Sequence, residues 1–513
     1  MVNQPSLSST GRSVSQSFGR CVAPFVILLL AAGCAVNQRK EVQQYRDVLD
    51  GNHPPAVEES YDNKPISLAE TLILANRRNE QLGISGEQYV QALIAKQKAF
   101  STFLPTISVA PASTYIDRLS SINVNGAKHF STNVPITATA NLFNGFSDAA
   151  TLAGTGFTVE QRKAQLLDLQ QTIFLDVAQT YYQVLSAERS VIVLTNSVKV
   201  QDAHVSDMMD RERAGVARPL DIAQSQAQDA ATRADLVTAQ ENVKNGRTLL
   251  AFLIDAPVQN AVLVDDLTVP AELAPVAAAL KVAREMRQDI VAARQGVEAA
   301  REAVSAAIGQ YYPSVSLNMD YFLHRESIPT GSVWQGFLDV NFPLFDAGII
   351  YANVRQAWSL LRVARLNEQM TVRQADQLVR TGYDTLVGSR ERLVELKTEV
   401  KAASDALYQA QQSYKAGLAT NLDVLTAQDQ LLTSQLSLAA EEFNYKFFYL
   451  QLVRAMGLLA RPENIIPATM PTTEPSSIET TTPGLPTGVQ PILQPPGEVP
   501  TTVPATTQPA SPQ

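Results

Sequence analysis

Hydrophobic positions along this chain follow two different periods, and the change from one to the other occurs twice. In some segments every second residue is apolar, which predicts a strand with two unlike faces. In longer segments the apolar residues recur after three or four positions, which predicts a helix of coiled-coil type. The strand pattern is clearest at Val315, Leu317, Met319 and Tyr321, and the helical pattern at Leu393, Leu396, Val400, Ala403 and Leu407.

The same order of elements is predicted in two halves of the chain, which indicates an internal duplication. Each half begins with a helix that a proline ends, continues with two strands, and closes with a long helix and a shorter returning helix. The fold class is therefore mainly α with a small β part. The predicted helices cover residues 68–101, 148–214 and 221–253 in the first half, and 277–310, 348–416 and 423–459 in the second.

Short motifs support the duplication, because they recur in the same order at a nearly constant offset. The most specific motif, Ala-Gly followed by four residues and Leu-Asp, contains Gly215 and Asp221 in the first half and Gly417 and Asp423 in the second. Gly215 and Gly417 are predicted to end the long helices in helix-tip turns, since glycine tolerates the left-handed backbone of such a turn. Thr420 then fits the N-cap of the next helix.

The strands of each half have a length of about ten to twelve residues, close to the roughly 9–11 residues that cross a bilayer at a tilt. In the second half the alternation predicts that the return strand runs from Leu338 to Leu344. The returning helices have half the length of the long helices, so each requires a second helix placed end to end with it. For the helix that ends at Leu253, the next helix along the chain, which ends at Gln310, is predicted to be that neighbour.

Composition narrows the class of protein further. The formal net charge of −9 over 513 residues disfavours a nucleic-acid partner, because no basic stripe is present to offset phosphates. No run of 18 or more apolar residues follows the N-terminal segment, so a membrane crossing would have to use strands. The four histidines are scattered without metal-ligand spacing, and no nucleophile–base pair is evident. Neither an enzyme nor a cofactor is predicted.

The N-terminal segment is read as a targeting signal, residues 1–33. A short apolar stretch there ends in Ala-Ala-Gly before Cys34, which resembles a bacterial lipobox and predicts Cys34 as a lipid attachment point. An ordinary secretory signal with a chance cysteine is the alternative. Residues 34–65 are polar and predicted to be a linker, and the Pro- and Thr-rich residues 464–513 are predicted to be a disordered tail.

Four strands cannot close a conducting barrel by themselves, and open sheet edges are unfavourable in lipid because backbone groups stay unpaired. Three chains that share one barrel would supply twelve strands and leave no edge. The sequence therefore predicts a homotrimer with a transmembrane β-barrel above a hollow cylinder of long coiled-coil helices.

The arrangement resembles the TolC family of outer-membrane efflux proteins in its two repeats, its proline-started strands and its Ala-Gly tips. Within that resemblance residues 66–270 are the first TolC-like repeat and residues 271–463 the second. The resemblance implies an outer-membrane channel with a helical tunnel in the periplasm and a lipid anchor at Cys34. It also implies partners, namely a periplasmic adaptor protein and an inner-membrane pump, with the channel as a passive exit duct.

The resemblance further places candidate site residues at the helix tips. Asp423 lies where the family has an acidic residue at the closed periplasmic aperture, and Asp221 is its counterpart in the first repeat. The family's second aperture aspartate corresponds to Thr426 here. The alternative role for both carboxylates is helix capping, because an acid in the first turn suits the N-cap and the helix dipole.

Two other classes of protein share some of these features. A periplasmic adaptor is also long-helical and often lipid-anchored, but it should have one helical hairpin flanked by β-rich domains. A structural coiled-coil lipoprotein of the envelope would explain the heptads but not two strand pairs at equal intervals.

Overall fold

The structure, a computed structural model, describes residues 36–50, 64–115, 130–326 and 333–459. The signal segment, Cys34 and the tail predicted from the sequence lie outside the described residues. Inside the segment expected to be a linker, Gln38–Asp50 forms a helix, α1. Tyr45 and Leu49 are its two buried residues, and the Tyr45 ring lies over Gly86, where an added Cβ would be 2.4 Å from a ring atom. The Leu49 carbonyl also accepts from Gln170 Nε2 at 3.0 Å, so apolar burial and hydrogen bonds together hold this mostly polar helix.

The first repeat contains eight elements in the described residues, and its long helix has 67 residues. These elements are β1 Pro65–Ser67, α2 Leu68–Arg78, α3 Glu80–Ser101, β2 Thr106–Val109, β3 Ala112–Tyr115, β4 Phe130–Asn144, α4 Ser147–Arg213 and α5 Pro219–Ile254. The long helix and the shorter returning helix predicted for this half are confirmed.

The second repeat has the same order, and its long helix also has 67 residues. Its elements are α6 Val276–Met286, α7 Gln288–Gly309, β6 Ser314–Arg325, β7 Trp334–Asn341, α8 Ile349–Lys415 and α9 Asn421–Ala455. The short strand β5 Val262–Val264 lies before residue 271 but occupies the position that β1 has before the helices of the first repeat. Equal lengths of α4 and α8 confirm that the motif offset reflects a repeated structural unit.

One antiparallel sheet joins the two repeats, with strand order β2–β4–β6–β7 and with β3 also paired to β4. The first of the four predicted strand positions is thus divided into two short strands, on either side of Ala110 and Pro111. The register pairs Val315 with Val340 and Leu317 with Leu338, so the predicted apolar residues share one face.

The last strand is shorter than the alternation predicts. β7 ends at Asn341, and Phe342 and Leu344 lie beyond it with exposed side chains. Pro343 has no backbone N–H and cannot continue the hydrogen-bonded ladder, so the prediction that the strand reaches Leu344 is wrong.

The helix expected at the start of each repeat is broken once. Asn79 separates α2 from α3, and Arg287 separates α6 from α7, both with extended backbone. Asn79 Nδ2 donates to the carbonyl of Leu253 at 3.1 Å, and Arg287 Nη1 donates to that of Ala455 at 3.0 Å. Each break therefore supplies a hydrogen bond to the C-terminal end of a returning helix, where carbonyls have no partner within the helix.

These contacts correct the expected end-to-end neighbour of the returning helices. The end of α5 meets the break before α3, and the end of α9 meets the break before α7. The prediction that joined α5 to the helix ending at Gln310 is wrong, because each returning helix meets the opening helix of its own repeat. Sequence order alone did not distinguish the two arrangements.

Large fully buried side chains such as Leu72, Phe174 and Ile254 lie on α2, the middle of α4 and the end of α5, and further apolar clusters lie where short helices pack on the long ones. α7 packs against both α4 and α8, and α9 packs against the same two helices further along. Apolar clusters mark the two levels, Val297, Val304, Ala307, Ala357 and Leu361 at the first and Leu194, Ala239 and Leu432 at the second. No helix in the described ranges has the length and apolar character needed to cross a membrane.

Candidate functional site at the helix tips

Two sharp turns form the tips, one between α4 and α5 and one between α8 and α9. Gly215 and Gly417 have φ values of 75° and 74°, and no atom lies within 4 Å of a Cβ added to either. Left-handed backbone, and not crowding, is therefore the reason for glycine here. The following residues donate back to the helix, Val216 to Arg211 and Leu418 to Ser413, both at 2.8 Å. Both turns thus end their helix with a Schellman-type pair of hydrogen bonds.

Asp423 lies in the first turn of α9 and is exposed. Its Oδ2 accepts hydrogen bonds from the backbone N–H and the hydroxyl of Thr420, both at 2.7 Å, while the Asp423 N–H donates to that hydroxyl oxygen at 3.3 Å. The Thr420 hydroxyl, followed by the Thr420 N–H, holds the pKa of the Asp423 carboxyl below its ordinary value. The carboxylate therefore caps the helix and keeps its negative charge at neutral pH.

Asp221 is the counterpart in α5, but its surroundings differ. It is 7% exposed, and it accepts from Arg218 through the backbone N–H at 3.1 Å, Nε at 3.1 Å and Nη2 at 2.9 Å. The Arg218 side chain is the main cause that lowers the pKa of Asp221. Arginine 218 neutralises this carboxylate, whereas no salt bridge among the described residues involves Asp423.

A buried asparagine links the two tips within one chain. Asn421 Nδ2 donates to the Asp221 carbonyl at 3.0 Å and to the Ser225 hydroxyl at 3.2 Å, and His204 Nε2 lies 2.8 Å from Asn421 Oδ1. Because that oxygen can only accept, His204 donates from Nε2. Sequence reasoning missed this link. The available signal was a departure from the duplication, since Asn421 stands where the first repeat has Pro219.

Thr426, the residue at the family's second acidic position, is exposed. Its hydroxyl donates to the Leu422 carbonyl of its own helix at 2.8 Å. The structure therefore brings Asp221 close to Asn421 and His204, and leaves Asp423 and Thr426 together on the exposed start of α9.

A groove runs between α4 and α8, with α9 as its floor; we call it the α4–α8 groove. Two cavities of about 470 Å³ and about 330 Å³ lie along it. The cavity near the tips is lined by His204 of α4 and Tyr414 of α8, and the cavity further from the tips is lined by Val193 of α4 and Val400 of α8. Residue numbers rise towards the tips on both helices, so the two long helices run in the same direction. No group of three or more His, Cys, Asp or Glu side chains in the described part of the chain could hold a metal ion.

Comparison with known proteins agrees with the two-repeat organisation. The sequence model of one family, described as outer membrane efflux protein, matches residues 87–254 and again residues 279–458. The outer membrane efflux protein BepC of Brucella suis is 22% identical over 364 residues, which is 66% of this chain and 76% of that protein. The probable efflux pump outer membrane protein TtgC of Pseudomonas putida is 25% identical over 297 residues, 56% of this chain and 61% of that protein.

Solved structures share the fold at lower identity. The outer membrane protein VceC of Vibrio cholerae has a TM-score of 0.69 at 20% identity, over 76% of this chain and 96% of that one. The CmeC outer membrane channel of Campylobacter jejuni has a TM-score of 0.69 at 16% identity, over 76% of this chain and 85% of that one. The similarity therefore extends over most of each of those chains.

Proposed function

This chain belongs to the outer membrane efflux protein family, and from that premise we propose that it is one subunit of a trimeric exit duct in the outer membrane. An inner-membrane pump supplies the energy, a periplasmic adaptor connects the two, and the duct itself performs no chemistry. The single observation that carries the proposal is the sheet shared by both repeats, whose two faces differ in chemistry and whose order leaves β2 and β7 at the edges.

One face of that sheet suits lipid and the other suits water. Leu338 and Val340 are 61% and 63% exposed in the isolated chain and lie on the face that also contains Val315 and Leu317. On the opposite face, Thr137 donates to Asp320 at 2.7 Å and Thr139 to Asn318 at 2.8 Å. Apolar groups outward and a polar lumen are the arrangement that a transmembrane strand pair needs.

Free edges explain why three copies are needed. In lipid an unpaired edge leaves backbone donors and acceptors without partners, at several kcal/mol each. Three copies of four strand positions close the sheet into a twelve-stranded barrel. Neither alternative, a periplasmic adaptor or a structural coiled coil, would require such a sheet.

Planar-bilayer recording of the detergent-purified chain tests the proposal. We expect single-channel steps, together with a trimer band on unheated gels that converts to monomer on boiling. A product that extracts without detergent, migrates as a monomer and gives no conductance would show that the chain is not a channel.

The tips are the proposed periplasmic aperture and the proposed docking surface for the adaptor. Four apolar side chains at equivalent positions of the two repeats are exposed there, a pattern typical of an interaction surface. They are Val216, Leu220, Leu418 and Leu422, and Leu418 is 84% exposed.

Asp423 is the proposed aperture charge, because it is exposed at the start of α9 and no salt bridge among the described residues neutralises it, in contrast to Asp221. Three copies would form a ring of carboxylates that favours cations. We expect Asp423→Asn to lower the preference for cations over anions, measured as the reversal potential in a salt gradient. The asparagine oxygen can still accept from Thr420, so this variant removes the charge and keeps the cap.

Asp423→Ala is the matched variant, because it removes both the charge and the carboxylate that accepts from the Thr420 N–H, the reciprocal half of the capping box. If the charge governs the aperture, both variants shift the reversal potential; if capping alone matters, only the alanine variant changes the channel. In the wild type the depressed pKa keeps Asp423 ionised at neutral pH. Its contributions to capping and to selectivity should therefore be present at neutral pH and be lost as the pH falls through that depressed pKa, below the ordinary range of a carboxyl group.

Cys34 is the proposed lipid anchor. The helix α1 begins four residues after it, at Gln38, and α1 is held by Tyr45 against Gly86 and by Arg46, which donates to the Asn76 carbonyl at 2.9 Å. The chain is thus fixed to the helical part a short distance from the anchor.

Cys34→Ser is expected to remove the lipid mass from the mature chain, as measured by mass spectrometry, and to leave single-channel conductance unchanged. The strands, and not the lipid, would hold the duct in the membrane. An unchanged mass would refute lipidation at Cys34, and a loss of conductance would show that the anchor is needed for insertion.

A further inference from the structure

Helix α3 has a row of exposed residues that recur after four and three positions, which is the spacing of a coiled-coil seam. We call this row the α3 seam, and its members are Glu80, Ile84, Glu87, Gln91, Ile94 and Lys98. Ile84 is 62% exposed, and covering such a side chain gains free energy. The row therefore indicates a helix that packs on α3 from outside the chain.

Helix α8 has a second row with the same spacing, which we call the α8 seam. Its members are all exposed, namely Ser359, Val363, Leu366, Met370, Arg373 and Gln377. Leu361, which packs with Val297 of α7, lies on the opposite side of the helix at 3.6 residues per turn. One side of α8 thus packs within the chain, and the α8 seam faces away from that side.

The order of the helices in the half next to the sheet places the two seams at opposite ends of a row. α3 packs on α4, α4 packs on α7, and α7 packs on α8. When three copies stand side by side in a closed ring, the α8 of each copy therefore meets the α3 of the next. Such a contact joins two different surfaces and repeats around the ring.

The duplication supplies a template for that contact. α8 begins 202 residues after α4 and has the same length, and α7 begins 208 residues after α3 and also has the same length. The packing of α4 on α7 inside the chain is therefore equivalent to the packing of α8 on the α3 of the next copy. Each contact between α4 and α7 specifies one pair of positions at the boundary between copies.

One contact of the template involves a glycine of α4. A Cβ added to Gly154 would lie 3.3 Å from the Cβ of Glu302 on α7. The equivalent residues are Gln356 of α8 and Ile94 of α3. These two side chains are therefore expected to be direct neighbours across the boundary.

A second contact fixes the direction of the two helices. A Cβ added to Gly296 of α7 would lie 3.1 Å from Nε2 of Gln161 on α4, and the equivalent residues are Gln88 of α3 and Val363 of α8. From the first contact to the second, residue numbers rise on one helix and fall on the other. The boundary helices are thus antiparallel, and their register is defined.

The boundary is less polar than its template. Asp168 of α4 and Ala292 of α7 line one cavity of about 320 Å³, and their equivalents are Met370 and Ile84. An unbranched methionine can fill space that the template leaves open, and an apolar pair gains free energy when it is removed from water. The contact between copies is therefore expected to be drier than the contact inside one copy.

Charges at one end of the seams agree with the same register. Glu80 precedes Ile84 by about one turn of α3, and Arg373 follows Met370 by about one turn of α8. Because the helices are antiparallel, the carboxylate and the guanidinium reach the same level. Opposite charges at that level favour this register, since a shift along the helices would separate them.

We infer that the boundary between copies is an antiparallel contact of the α8 seam with the α3 seam of the next copy, in the register that α4 and α7 adopt inside the chain. The inference rests on the proposed function in one respect, namely that three copies close into a ring. The residues that it assigns to the boundary are Val363, Leu366, Met370 and Arg373 on α8, and Glu80, Ile84 and Ile94 on α3.

Disulfide trapping tests the register. Gln356→Cys combined with Ile94→Cys places two thiols where the template has Cβ atoms 3.3 Å apart, close to the separation in a disulfide. After mild oxidation of the detergent-purified full chain, we expect a covalent trimer on boiled, non-reducing gels. It should be roughly tenfold more abundant than in either single-cysteine variant, which controls for pairing through the native cysteines.

Val363→Cys combined with Ile94→Cys is the matched control. Val363 lies seven residues, or about 10 Å, further along α8 than Gln356, so this pair should give no more covalent trimer than a single-cysteine variant. A covalent trimer from this pair and none from the first pair would overturn the assigned register.

Charge exchange tests the end of the seams. Arg373→Glu places two carboxylates at the same level and should lower the temperature at which the trimer dissociates on gels. Adding Glu80→Arg should restore that temperature, because opposite charges face each other again. Lys397→Glu changes the charge of an exposed α8 residue outside the seam and should leave the temperature unchanged. A double variant as unstable as Arg373→Glu alone would contradict the register.

Single-channel recording of the unmodified chain separates the two proposals. A chain that conducts, but whose Gln356 and Ile94 cysteines do not crosslink, overturns the boundary inference and leaves the channel intact. A chain that neither conducts nor forms a trimer overturns the proposed function instead.

Discussion

Replacing Gly145 by alanine is expected to destabilise the protein strongly. Gly145 has φ of 57°, and an added Cβ would lie 2.0 Å from the carbonyl oxygen of Gly309 and 2.9 Å from Tyr312 Cβ. The Gly309 oxygen is a main-chain atom, so no side-chain rotation can relieve this clash. Left-handed backbone costs about 1–2 kcal/mol for alanine, and overpacking adds about 1–3 kcal/mol. The turn from β4 into α4 should therefore separate from the end of α7.

Gly348→Ala is the matched control for this substitution. Gly348 lies in the equivalent turn of the second repeat with φ of 86°, but no atom lies within 4 Å of its added Cβ. The Gly348→Ala variant should therefore lose only the stability that left-handed backbone costs an alanine, about 1–2 kcal/mol. Urea titrations monitored by the helical circular dichroism signal give the free energy of unfolding of both variants. The yield of heat-dissociable trimer gives a second readout. Equal losses for the two variants would show that the contact with Gly309 contributes nothing.

Arg287→Met is expected to cause the second large loss of stability. Arg287 is 3% exposed, donates to the Ala455 carbonyl at 3.0 Å and forms two hydrogen bonds with Asp289, at 3.0 Å and 2.7 Å. Methionine would fill much of the volume but remove the cation that pairs with the Asp289 carboxylate and the side-chain donor to the Ala455 carbonyl. Removing one partner of a buried ion pair costs about 3–5 kcal/mol, and the lower end applies because the Asp289 side chain is 25% exposed.

Arg284→Met provides the comparison, because Arg284 lies on α6 just before the break and also pairs with a carboxylate. Its side chain is 53% exposed, and its Nη2 lies 2.6 Å from Asp376 Oδ2. An exposed pair of this kind contributes about 0–1 kcal/mol. Denaturant titration of both variants should therefore give a much larger shift for Arg287. Similar midpoints would mean that the end of α9 does not depend on the break before α7.

The two repeats and most of their elements could be predicted because their signals are local. Glycine at 215 and 417 ends a helix through its own backbone freedom, and Thr420 begins one through its own hydroxyl. The alternation around Val315 and Leu317 depends only on the two-residue period of a strand. The end of β7 at Asn341 also had a local signal, Pro343, which the hydrophobic pattern obscured.

The features that the sequence did not reveal depend on partners far away along the chain. α1 is ordered because Tyr45 meets Gly86, and composition alone favoured a linker. Asn421 contacts His204 and the Asp221 carbonyl, which lie 217 and 200 positions before it in the chain. Arg287 and Asn79 looked like ordinary helix residues until the ends of α9 and α5 were placed against them.

The duplication is thus what the sequence by itself determined: the order of elements, the lengths of the long helices, the tip turns and the two faces of the strands, all set by propensities within a few residues. Only the tertiary structure decided which helix ends meet and that Asn421 links the two tips. The physical reason is that both repeats offer similar local signals. Contacts between distant residues, such as Asn421 with the Asp221 carbonyl and the Ser225 hydroxyl, then give equivalent positions of the two repeats different roles.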